Sequence, residues 1–376
     1  MDSRKNIGLL GGLSTSQFMS RHWQKKPLLV RQAVPDMQAL LSRQQLFALV
    51  SHDDVESRLV EQRGGAWKLR RGPFGPRSLP PLSRPQWSLL VQGTDLHDDR
   101  LHELLTRFRF VPDARLDDLM ISYATDGGGV GPHFDSYDVF LLQAHGKRRW
   151  RIGLQDDLTL RDDVPLKVLA NFRPQQEWVL EPGDMLYLPP RYAHDGIAEG
   201  ECMTYSIGFR APARQELARE LLQRIADEDG DEPVLYRDAR QPAVESPAEI
   251  PQGMVDFARD SVARALGETG ALERALGEYL TEPKANIWFD ATRVPRKLVA
   301  VALDRRSRMM YDRKRIFING ESYLAAGRDA TLMRKLADTR RLDAKTLAGA
   351  SDDALELLSS WCAAGWLHAA GKPEEM

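Results

Sequence analysis

The chain has 376 residues, the length of two or three domains, which is ample for a closed hydrophobic core. Its 52 basic and 54 acidic residues nearly cancel, so the net charge predicts no general affinity for nucleic acid or for membrane surfaces. No apolar run approaches the roughly 18 residues of a membrane span, and Cys202 and Cys362 form no CxxC pattern, so we expect a soluble cytoplasmic protein without disulfides.

The first hundred residues alternate short helices with short strands. An amphipathic pattern predicts a short helix with Ser14 or Ser16 as its N-cap, and a second pattern predicts a helix that begins at Ser42. Gly, Pro and Trp between residues 64 and 87 indicate short strands and loops. Residues 87–92 are predicted to form a strand and residues 98–108 a helix.

The next strand, residues 116–123, carries an acid among apolar residues. Alternation places Asp118, Met120 and Ser122 on one face. A carboxylate on an inward face costs free energy unless it is paired. Alternation alone therefore leaves two interpretations: Asp118 lies inside with a partner, or it faces solvent at the strand end.

A glycine-rich loop, residues 127–131, leads into the stretch with the strongest functional signal. The loop is a poor match to a phosphate-binding loop, because neither a helix pattern nor Lys-Ser/Thr follows it. Beyond it His133, Asp135 and Tyr137 alternate with other residues and so share one face of a strand. A histidine and a carboxylate that converge in β-structure indicate a metal site with a third ligand elsewhere.

Residues 139–153 are predicted to form a hairpin with its turn at residues 144–147. Alternation places Arg148 on the same face as Trp150 and Ile152, with the neighbouring arginines on the other face. If the two apolar residues point inward, Arg148 points inward too.

The third ligand follows a turn predicted at Pro182-Gly183-Asp184 and a short strand at residues 185–188. Pro189-Pro190 then lead to His194. In the strand predicted at residues 203–209, Thr204, Ser206 and Gly208 share a face. Short strands separated by Pro and Gly turns predict a β-barrel or a double sheet of the jelly-roll kind.

His133, Asp135 and His194 together offer two imidazoles and one carboxylate. This set is the facial triad of non-haem Fe(II) oxygenases, which leaves coordination positions open. Two open positions accept a 2-oxo acid and a third accepts dioxygen. The sequence therefore predicts an iron-dependent oxygenase.

The C-terminal part changes from strands to helices and back. Helical spacing covers residues 214–225 and a run from residue 254 to 280, joined by a Pro- and Asp-rich connection at residues 227–251. Further elements are strands at 309–311 and 316–324 with a turn at Asn319-Gly320, and helices at 332–336, 344–347 and 354–367. Residues 293–345 hold 15 basic and 6 acidic residues. This basic excess keeps a nucleic-acid-binding surface as one interpretation of this part of the chain.

Residues 131–153 and 181–194 resemble the JmjC (cupin-like) 2-oxoglutarate oxygenases, specifically the bacterial ribosomal oxygenases. The similarity extends from Phe18-x-x-x-His22-Trp23-Gln24-Lys25-Lys26-Pro27 to Gly208-Phe209-Arg210-Ala211-Pro212. Members of this family hydroxylate the β-carbon of an arginine in large-subunit ribosomal protein L-sixteen, and eukaryotic relatives hydroxylate histidines of other ribosomal proteins. The resemblance implies iron on His133, Asp135 and His194.

The resemblance also implies an α+β fold in three parts. These are a double-stranded β-helix (jelly-roll, cupin-like) barrel in residues 1–212, a helical dimerisation region in residues 213–280 and a winged-helix-like domain in residues 281–376. Two alternatives stay open: the helices of the middle region pack on their own barrel, and the last domain serves in structure or ribosomal-protein docking rather than in binding nucleic acid.

For the cosubstrate, the resemblance implies a salt bridge from Arg148 to the distal carboxylate of 2-oxoglutarate. The bidentate guanidinium fork suits a dicarboxylate held in an apolar barrel. If Arg148 faced solvent, Lys147 or Lys167 would have to take its place. Ser122 and Thr204, inward on flanking strands, are weaker candidates for added hydrogen bonds.

For the substrate, family similarity matches Asp118, Met120, Tyr137 and Ser206 to a clamp for an arginine side chain. They offer a carboxylate for the guanidinium and soft or flat walls for its stem. Residues 93–212 hold 20 acidic and 13 basic residues, a charge balance that attracts a basic ribosomal protein.

We therefore expect an Fe(II)- and 2-oxoglutarate-dependent dioxygenase that hydroxylates a protein arginine, with O2 as oxidant and succinate and CO2 as coproducts. A ribosomal protein is the expected partner, and the protein is expected to be a homodimer. Two alternatives remain: a histidyl hydroxylase or demethylase with the same iron site, or a nucleic-acid-binding regulator that acts through the winged helix.

Overall fold

The computed structural model describes residues 8–75, 77–227 and 234–370, and the chain divides into two compact units after Ala211. The predicted connection at residues 227–251 thus lies partly outside the described residues. The predicted helical region shares the second unit with residues 281–370. None of the helices in the described ranges is long and apolar enough to cross a membrane.

The first unit combines three short helices with nine antiparallel strands among its described residues. The helices are α1 (Thr15–Arg21), α2 (Arg43–Leu49) and α3 (Asp99–Thr106). The strands are β1 (Leu28–Val30), β2 (Ser57–Arg63), β3 (Ala66–Arg71), β4 (Trp87–Val91), β5 (Leu116–Ala124), β6 (Val139–Gly153), β7 (Gln176–Leu180), β8 (Met185–Leu188) and β9 (Ala193–Phe209). Ser14 and Ser42 each form a capping box, with Gln17 and Gln45, which confirms the predicted helix starts.

The strands form one sheet in the order β1-β8-β6-β9-β5-β4-β2-β3, with β7 also paired to β6. Two long strands, β6 and β9, run antiparallel along most of their length. On its other side β6 pairs first with β8 and then with β7. The long central pair therefore belongs to both halves of the double-sheet arrangement.

The predicted hairpin at residues 139–153 is wrong, because β6 is one continuous strand through the expected turn. Both halves of β6 pair with the same neighbour, and the register shifts on either side of His145. Gly146 adopts a left-handed φ of +62°, and a Cβ there would lie 2.0 Å from the carbonyl oxygen of Glu201. The glycine thus makes an irregularity that bends the strand, and the chain does not reverse.

The sheet separates an outer hydrophobic core from a smaller inner one. Helices α1 to α3 pack on the outer face, where Phe18, Leu46 and Leu105 are buried with the outward residues of the strands. The inner cluster consists of Val139, Leu141, Trp150, Ile152, Leu180, Leu186 and Leu188. Other inward positions of β5, β6 and β9 carry buried polar residues, among them Ser122, Arg148 and His194, and these belong to the candidate site.

Among its described residues the second unit begins with three helices and continues with two small sheets and three further helices. The first three are α4 (Arg214–Ala226), α5 (Gln252–Gly267) and α6 (Ala271–Thr281), and the others are α7 (Gly327–Thr339), α8 (Ala344–Leu347) and α9 (Asp352–Ala363). The strands are β10 (Ala300–Leu303), β11 (Met309–Tyr311), β12 (Arg315–Ile318), β13 (Glu321–Leu324), β14 (Arg341–Leu342) and β15 (Leu367–Ala370), in the sheets β14-β10-β15 and β11-β12-β13.

The second unit corrects two predicted helices and confirms one turn. The helical run expected from residue 254 to 280 breaks between α5 and α6, where Gly270 has φ +85°. The last helix ends at Ala363, and residues 367–370 form β15, because Gly365 (φ +76°) starts a turn. The turn at Asn319-Gly320, with both residues at positive φ, is confirmed as the β12–β13 connection.

Candidate metal centre

His133 and His194 lie side by side on the inner face of the first unit. Their backbones form a two-way bridge, in which each N–H donates to the carbonyl of the other, at 2.9 and 2.7 Å. Their ring centroids are 4.2 Å apart. Residues that are 61 positions apart in the chain are thus brought together by direct strand pairing.

Asp135 completes the cluster. One ligand atom from each of His133, Asp135 and His194 lies within 4.8 Å of the others, and Nε2 of His194 is 3.7 Å from Oδ2 of Asp135. The three residues that the sequence analysis selected are therefore adjacent, at distances that one metal ion spans.

Hydrogen bonds fix the form of both imidazoles. Nδ1 of His133 lies 2.9 Å from the carbonyl of Gly131, and Nδ1 of His194 lies 2.9 Å from the carbonyl of Tyr192. A carbonyl only accepts, so each Nδ1 carries a hydrogen, and in the neutral imidazole Nε2 then keeps its lone pair. Carbonyls that orient histidines in this way are typical of metal centres.

The pKa of His194 is lowered from 6.5 to about 4, chiefly by burial and also by the neighbouring His133, while Asp135 and the hydrogen bond to Tyr192 oppose the shift. His194 is only 3% exposed. At neutral pH its imidazole is uncharged, which is the form that binds a metal.

Arg148 is buried on the same inner face, 4% exposed, and its Nη1 donates to Oγ of Ser122 at 3.1 Å. Among the described residues its Nε and Nη2 have no hydrogen-bond partner. Lys147, by contrast, forms an exposed salt bridge with Glu181. The inward orientation predicted for Arg148 is confirmed, and its guanidinium has two donors available to a ligand.

The hydroxyls near Arg148 are not equivalent. Ser122 lies opposite Thr204 in the β5–β9 ladder, and both are buried. Ser122 accepts from Arg148 and so keeps its own hydrogen for another acceptor. Thr204 donates its hydrogen to Oε1 of Gln143, at 2.8 Å. Ser122 is therefore a donor to a ligand, whereas Thr204 offers only lone pairs and its methyl group.

Trp150 lies between Arg148 and His194. Its ring centroid is 5.8 Å from the guanidinium carbon of Arg148 and 5.8 Å from the ring of His194. On β9, the residue opposite Trp150 is Gly196, where a Cβ would lie 2.7 Å from two ring carbons of the indole. The indole thus forms a wall along the space between the arginine and the metal ligands.

The predicted substrate residues lie on the same inner face. Met120 is opposite Ser206 in the β5–β9 ladder. Asp118 is only 5% exposed, and its Oδ2 accepts from the backbone N–H of Gly93 at 2.9 Å. The interpretation in which Asp118 faced solvent is therefore wrong.

Tyr137 lies near two carboxylates and remains partly open to solvent, at 39% exposure. Partial burial raises its pKa above the usual 10, and the charges of Asp135 and Asp118 raise it further. The phenol is thus a neutral donor at the boundary between the metal ligands and the substrate residues.

The glycine-rich loop brings the chain to His133 by close backbone contact. Gly127 donates to the carbonyl of Ala198, and Ala198 donates to the carbonyl of Gly128. A Cβ at Gly129 would lie 2.7 Å from the carbonyl oxygen of Gly196. The loop packs against β9, as expected for a tight loop rather than a phosphate cradle.

Sequence reasoning did not select Asp138 or Arg191, which both hold the segment that carries Asp135. Asp138 is fully buried and accepts hydrogen bonds from three side chains. Arg191 has a left-handed φ of +67°, and its N–H donates to the carbonyl of Asp135 at 2.8 Å. The sequence does contain a signal for Asp138. In a strand it would lie on the same face as Phe140, which is apolar, and an acid on an apolar face needs a partner.

The residues present fit an iron ion and a dicarboxylate. Two neutral imidazoles and one carboxylate are the donor set of non-haem iron sites. Two nitrogens of Arg148 have no partner among the described residues, which is costly in a buried position, and a carboxylate would satisfy both. The metal donor set and these two nitrogens are independent observations that agree.

Comparisons with known proteins agree with this geometry. A family model described as the JmjC domain matches residues 103–217, and one described as the ROXA-like winged helix matches residues 220–368. The predicted fold class, a cupin-like jelly-roll followed by a winged helix, is confirmed. The winged-helix match begins within α4, well before the predicted boundary at residue 281.

Over 279 residues the chain is 36% identical to the ribosomal protein uL16 3-hydroxylase of Escherichia coli (strain K12), with 72% of each chain covered. The X-ray structure of Escherichia coli YcfD matches with a TM-score of 0.81 at 29% identity, covering 95% of this chain and 98% of that one. YcfD, a ribosomal oxygenase, in complex with cobalt and 2-oxoglutarate matches with a TM-score of 0.77 at 30% identity, covering 96% and 99%.

Proposed function

The chain belongs to the JmjC-domain ribosomal oxygenases, and from this premise we propose that it is an Fe(II)- and 2-oxoglutarate-dependent hydroxylase of an arginine β-carbon in ribosomal protein uL16. The observation that carries the proposal is the cluster of His133, Asp135 and His194 on the same inner face as buried Arg148, two nitrogens of which have no hydrogen-bond partner in the described part of the chain. The similarity to the Escherichia coli uL16 3-hydroxylase supports the substrate.

In this proposal His133, Asp135 and His194 hold the iron, each histidine through its Nε2. When bound, the iron and 2-oxoglutarate supply the oxidative decarboxylation, with O2, that gives succinate, CO2 and a hydroxylated substrate carbon. The protein contributes position and exclusion of water. The Nδ1–H donated to the carbonyls of Gly131 and Tyr192 keeps both rings in the orientation that the ion requires.

Arg148 and Ser122 hold the distal carboxylate of 2-oxoglutarate in this proposal. Arg148 offers Nε and Nη2, which form the two parallel donors that a carboxylate accepts, and Ser122 adds its hydroxyl hydrogen. Thr204 acts through its contact with Gln143 and as a wall of the binding space. The indole of Trp150 lies along the path between the carboxylate end and the metal end.

Asp118, Met120, Tyr137 and Ser206 receive the substrate arginine. The buried carboxylate of Asp118 is already fixed by the Gly93 amide and offers its oxygens to a guanidinium. Met120 and Ser206 are neighbours on adjacent strands, so a thioether and a hydroxyl lie side by side next to the entering side chain. Tyr137, partly exposed, forms the wall on the metal side.

The protein is also proposed to be a homodimer that works in the cytoplasm, where ribosomal proteins are found. Helix α5 supports the dimer, because none of its residues is buried although one stripe of it is apolar. Met254, Ala258, Val262 and Leu266 recur at intervals of four and are all exposed. A second copy of the chain is the proposed partner of this stripe.

The function is tested by incubating the protein with Fe(II), 2-oxoglutarate and purified uL16, and measuring succinate and formaldehyde. We expect succinate to depend on uL16 and to disappear in His133→Ala, with no formaldehyde. Release of formaldehyde would favour a demethylase, and uL16-dependent succinate from His133→Ala at the wild-type rate would contradict the proposed site.

A further inference from the structure

The residue that supplies the carboxylate ligand lies outside the regular strands. The strand predicted through His133, Asp135 and Tyr137 is wrong in this stretch, because residues 134–138, between the bridge at His133 and the start of β6 at Val139, belong to no strand. Asp135 therefore lacks a continuous ladder of backbone hydrogen bonds on its own segment. One backbone hydrogen bond, from the N–H of Arg191 to the carbonyl of Asp135, holds the middle of the segment. The direction of the Asp135 carboxylate depends further on how the two ends of the segment are held.

Asp138 holds the C-terminal end through its side chain. Its Oδ1 accepts from the hydroxyl of Tyr187 at 2.6 Å. Its Oδ2 accepts from Nε2 of Gln24 at 3.0 Å and from Nη2 of Arg115 at 3.2 Å. The carboxylate is 0% exposed, so these three donors replace the water that it loses on folding.

These partners come from three separate elements around the segment. Gln24 follows α1, Arg115 precedes β5, and Tyr187 lies in β8. Gln24 is itself tied to the cluster, because its backbone N–H donates to the Tyr187 hydroxyl at 2.8 Å. The Asp138 cluster, meaning Asp138 with Gln24, Arg115 and Tyr187, thus links the segment to the N-terminal helix and to two strands.

The backbone of Asp138 is held as well. Its carbonyl accepts from the N–H of Phe209 at 3.1 Å, and Val139 then enters the ladder opposite Leu188 and Gly208. At the other end of the segment, the His133–His194 bridge fixes the chain. Asp135 and Tyr137 therefore lie between two fixed points, only one of which is part of the metal centre.

We propose that Asp138 is a positioning residue for the metal centre: its buried carboxylate fixes the segment so that Asp135 faces Nε2 of His194. Asp138 acts through Asp135 and contacts neither metal nor substrate. This inference rests on the proposed function, because it assumes that the cluster of His133, Asp135 and His194 binds a metal.

The substitution Asp138→Asn tests the inference with almost no change of volume. The amide replaces one carboxylate oxygen by an NH2 group. In one orientation the NH2 group faces the donors of Gln24 and Arg115, and in the other it faces the hydroxyl donor of Tyr187. Asp184→Asn is a matched control in the same unit, since Asp184 is 3% exposed and is bound by Arg31 and by two backbone amides, but lies outside the segment.

The measurement is calorimetric titration of the metal-free proteins with Co(II), together with the visible absorption of the bound ion and the melting temperature. We expect Asp138→Asn to weaken Co(II) binding about 10- to 100-fold, the range for residues that orient metal ligands, and to change the absorption band. Asp184→Asn is expected to lower the melting temperature while its Co(II) affinity stays within about twofold of wild type.

A wild-type Co(II) affinity in folded Asp138→Asn would overturn the inference, and so would an equal loss of affinity in Asp184→Asn. If Asp138→Asn does not fold, Tyr187→Phe removes one donor and leaves the carboxylate paired, and weaker Co(II) binding than in Asp184→Asn is then the supporting result. Wild-type affinity in Tyr187→Phe would contradict the inference. Failure of the wild-type protein to bind Co(II) would instead contradict the proposed function.

Discussion

Among the described residues, Arg148 has the most buried side-chain nitrogens without a hydrogen-bond partner. Its guanidinium is buried, yet two of its nitrogens lack a partner among the described residues. We expect Arg148→Met to raise the KM for 2-oxoglutarate about 100-fold, because loss of one member of a buried charge pair costs about 3 kcal/mol. Steady-state kinetics with varied 2-oxoglutarate measure this.

The same substitution separates a binding role from a structural one. Without cosubstrate, Arg148→Met is expected to be as stable as wild type or more stable, because it removes an unpaired buried cation. Arg149→Ala is the matched control, since Arg149 forms surface ion pairs with Glu177 and Glu199. An unchanged KM in Arg148→Met, or an equal rise in Arg149→Ala, would rule out the assigned role.

The lowered pKa of His194 predicts that the stability of the metal-free protein depends on pH. Its pKa of about 4 in the folded chain lies below the ordinary 6.5, so the unfolded chain binds the proton more readily. The free energy of unfolding should therefore fall as the pH is lowered from about 6.5 to 4, by up to about 3 kcal/mol. Urea denaturation across this range, with chelator present, measures the slope.

His194→Asn is expected to lose that part of the slope. His145→Gln, which removes an exposed imidazole outside the site, should keep it. If both variants retain the wild-type slope between pH 6.5 and 4, burial of His194 is not its cause.

At this scale the sequence predicts which residues share a face but not what each side chain contacts. Alternation correctly places Arg148 on the face of Trp150 and Ile152, all three of which are buried, and Met120 with Ser122 on one face. It does not reveal that the hydrogen of Thr204 is used by Gln143, since that depends on the register between β6 and β9. Asp138 was missed for a related reason, because its three partners are distant in sequence.

Among the elements, β6 shows why a local turn signal is insufficient. The sequence around Gly146 has the composition of a hairpin turn, but β9 runs past it and pairs with both halves of β6. Seventeen residues of partner strand outweigh a four-residue turn preference. The two-residue turn at Asn319-Gly320, with both residues at positive φ, was predictable because its geometry depends on those residues alone.

Helix α5 is the element that we expect to form the interface of the proposed dimer. A 16-residue helix with no buried residue and an apolar stripe is expected to bury that stripe against a second copy. Val262→Glu should shift the protein toward monomer, because it places a charge in the stripe, where Val262 is 57% exposed in the single chain. Sedimentation equilibrium measures the change in the dissociation constant.

Ala263→Glu is the matched control for this experiment. It adds the same charge at the next position, which is exposed but lies off the stripe. A monomeric wild-type protein, or equal dissociation in both variants, would contradict the proposed dimer face.

At the scale of the whole molecule, the residues proposed for binding and catalysis all lie in the first unit. The described residues proposed to hold iron, 2-oxoglutarate and arginine come from β5, β6, β9 and the segment before β6. Strands that are far apart in sequence meet there because β9 pairs with both β5 and β6. The second unit matches the ROXA-like winged helix. The JmjC domain therefore precedes the winged helix in the chain, which is the order expected for the family.

In the proposed reaction this site adds one oxygen atom to one arginine of uL16. The most direct measurement is tandem mass spectrometry of purified uL16 after incubation with the protein, Fe(II), 2-oxoglutarate and O2. We predict a mass gain of about 16 Da on a single arginine, absent with His133→Ala or without 2-oxoglutarate. Unmodified uL16 with the wild-type protein, or the same modification with His133→Ala, would contradict the account.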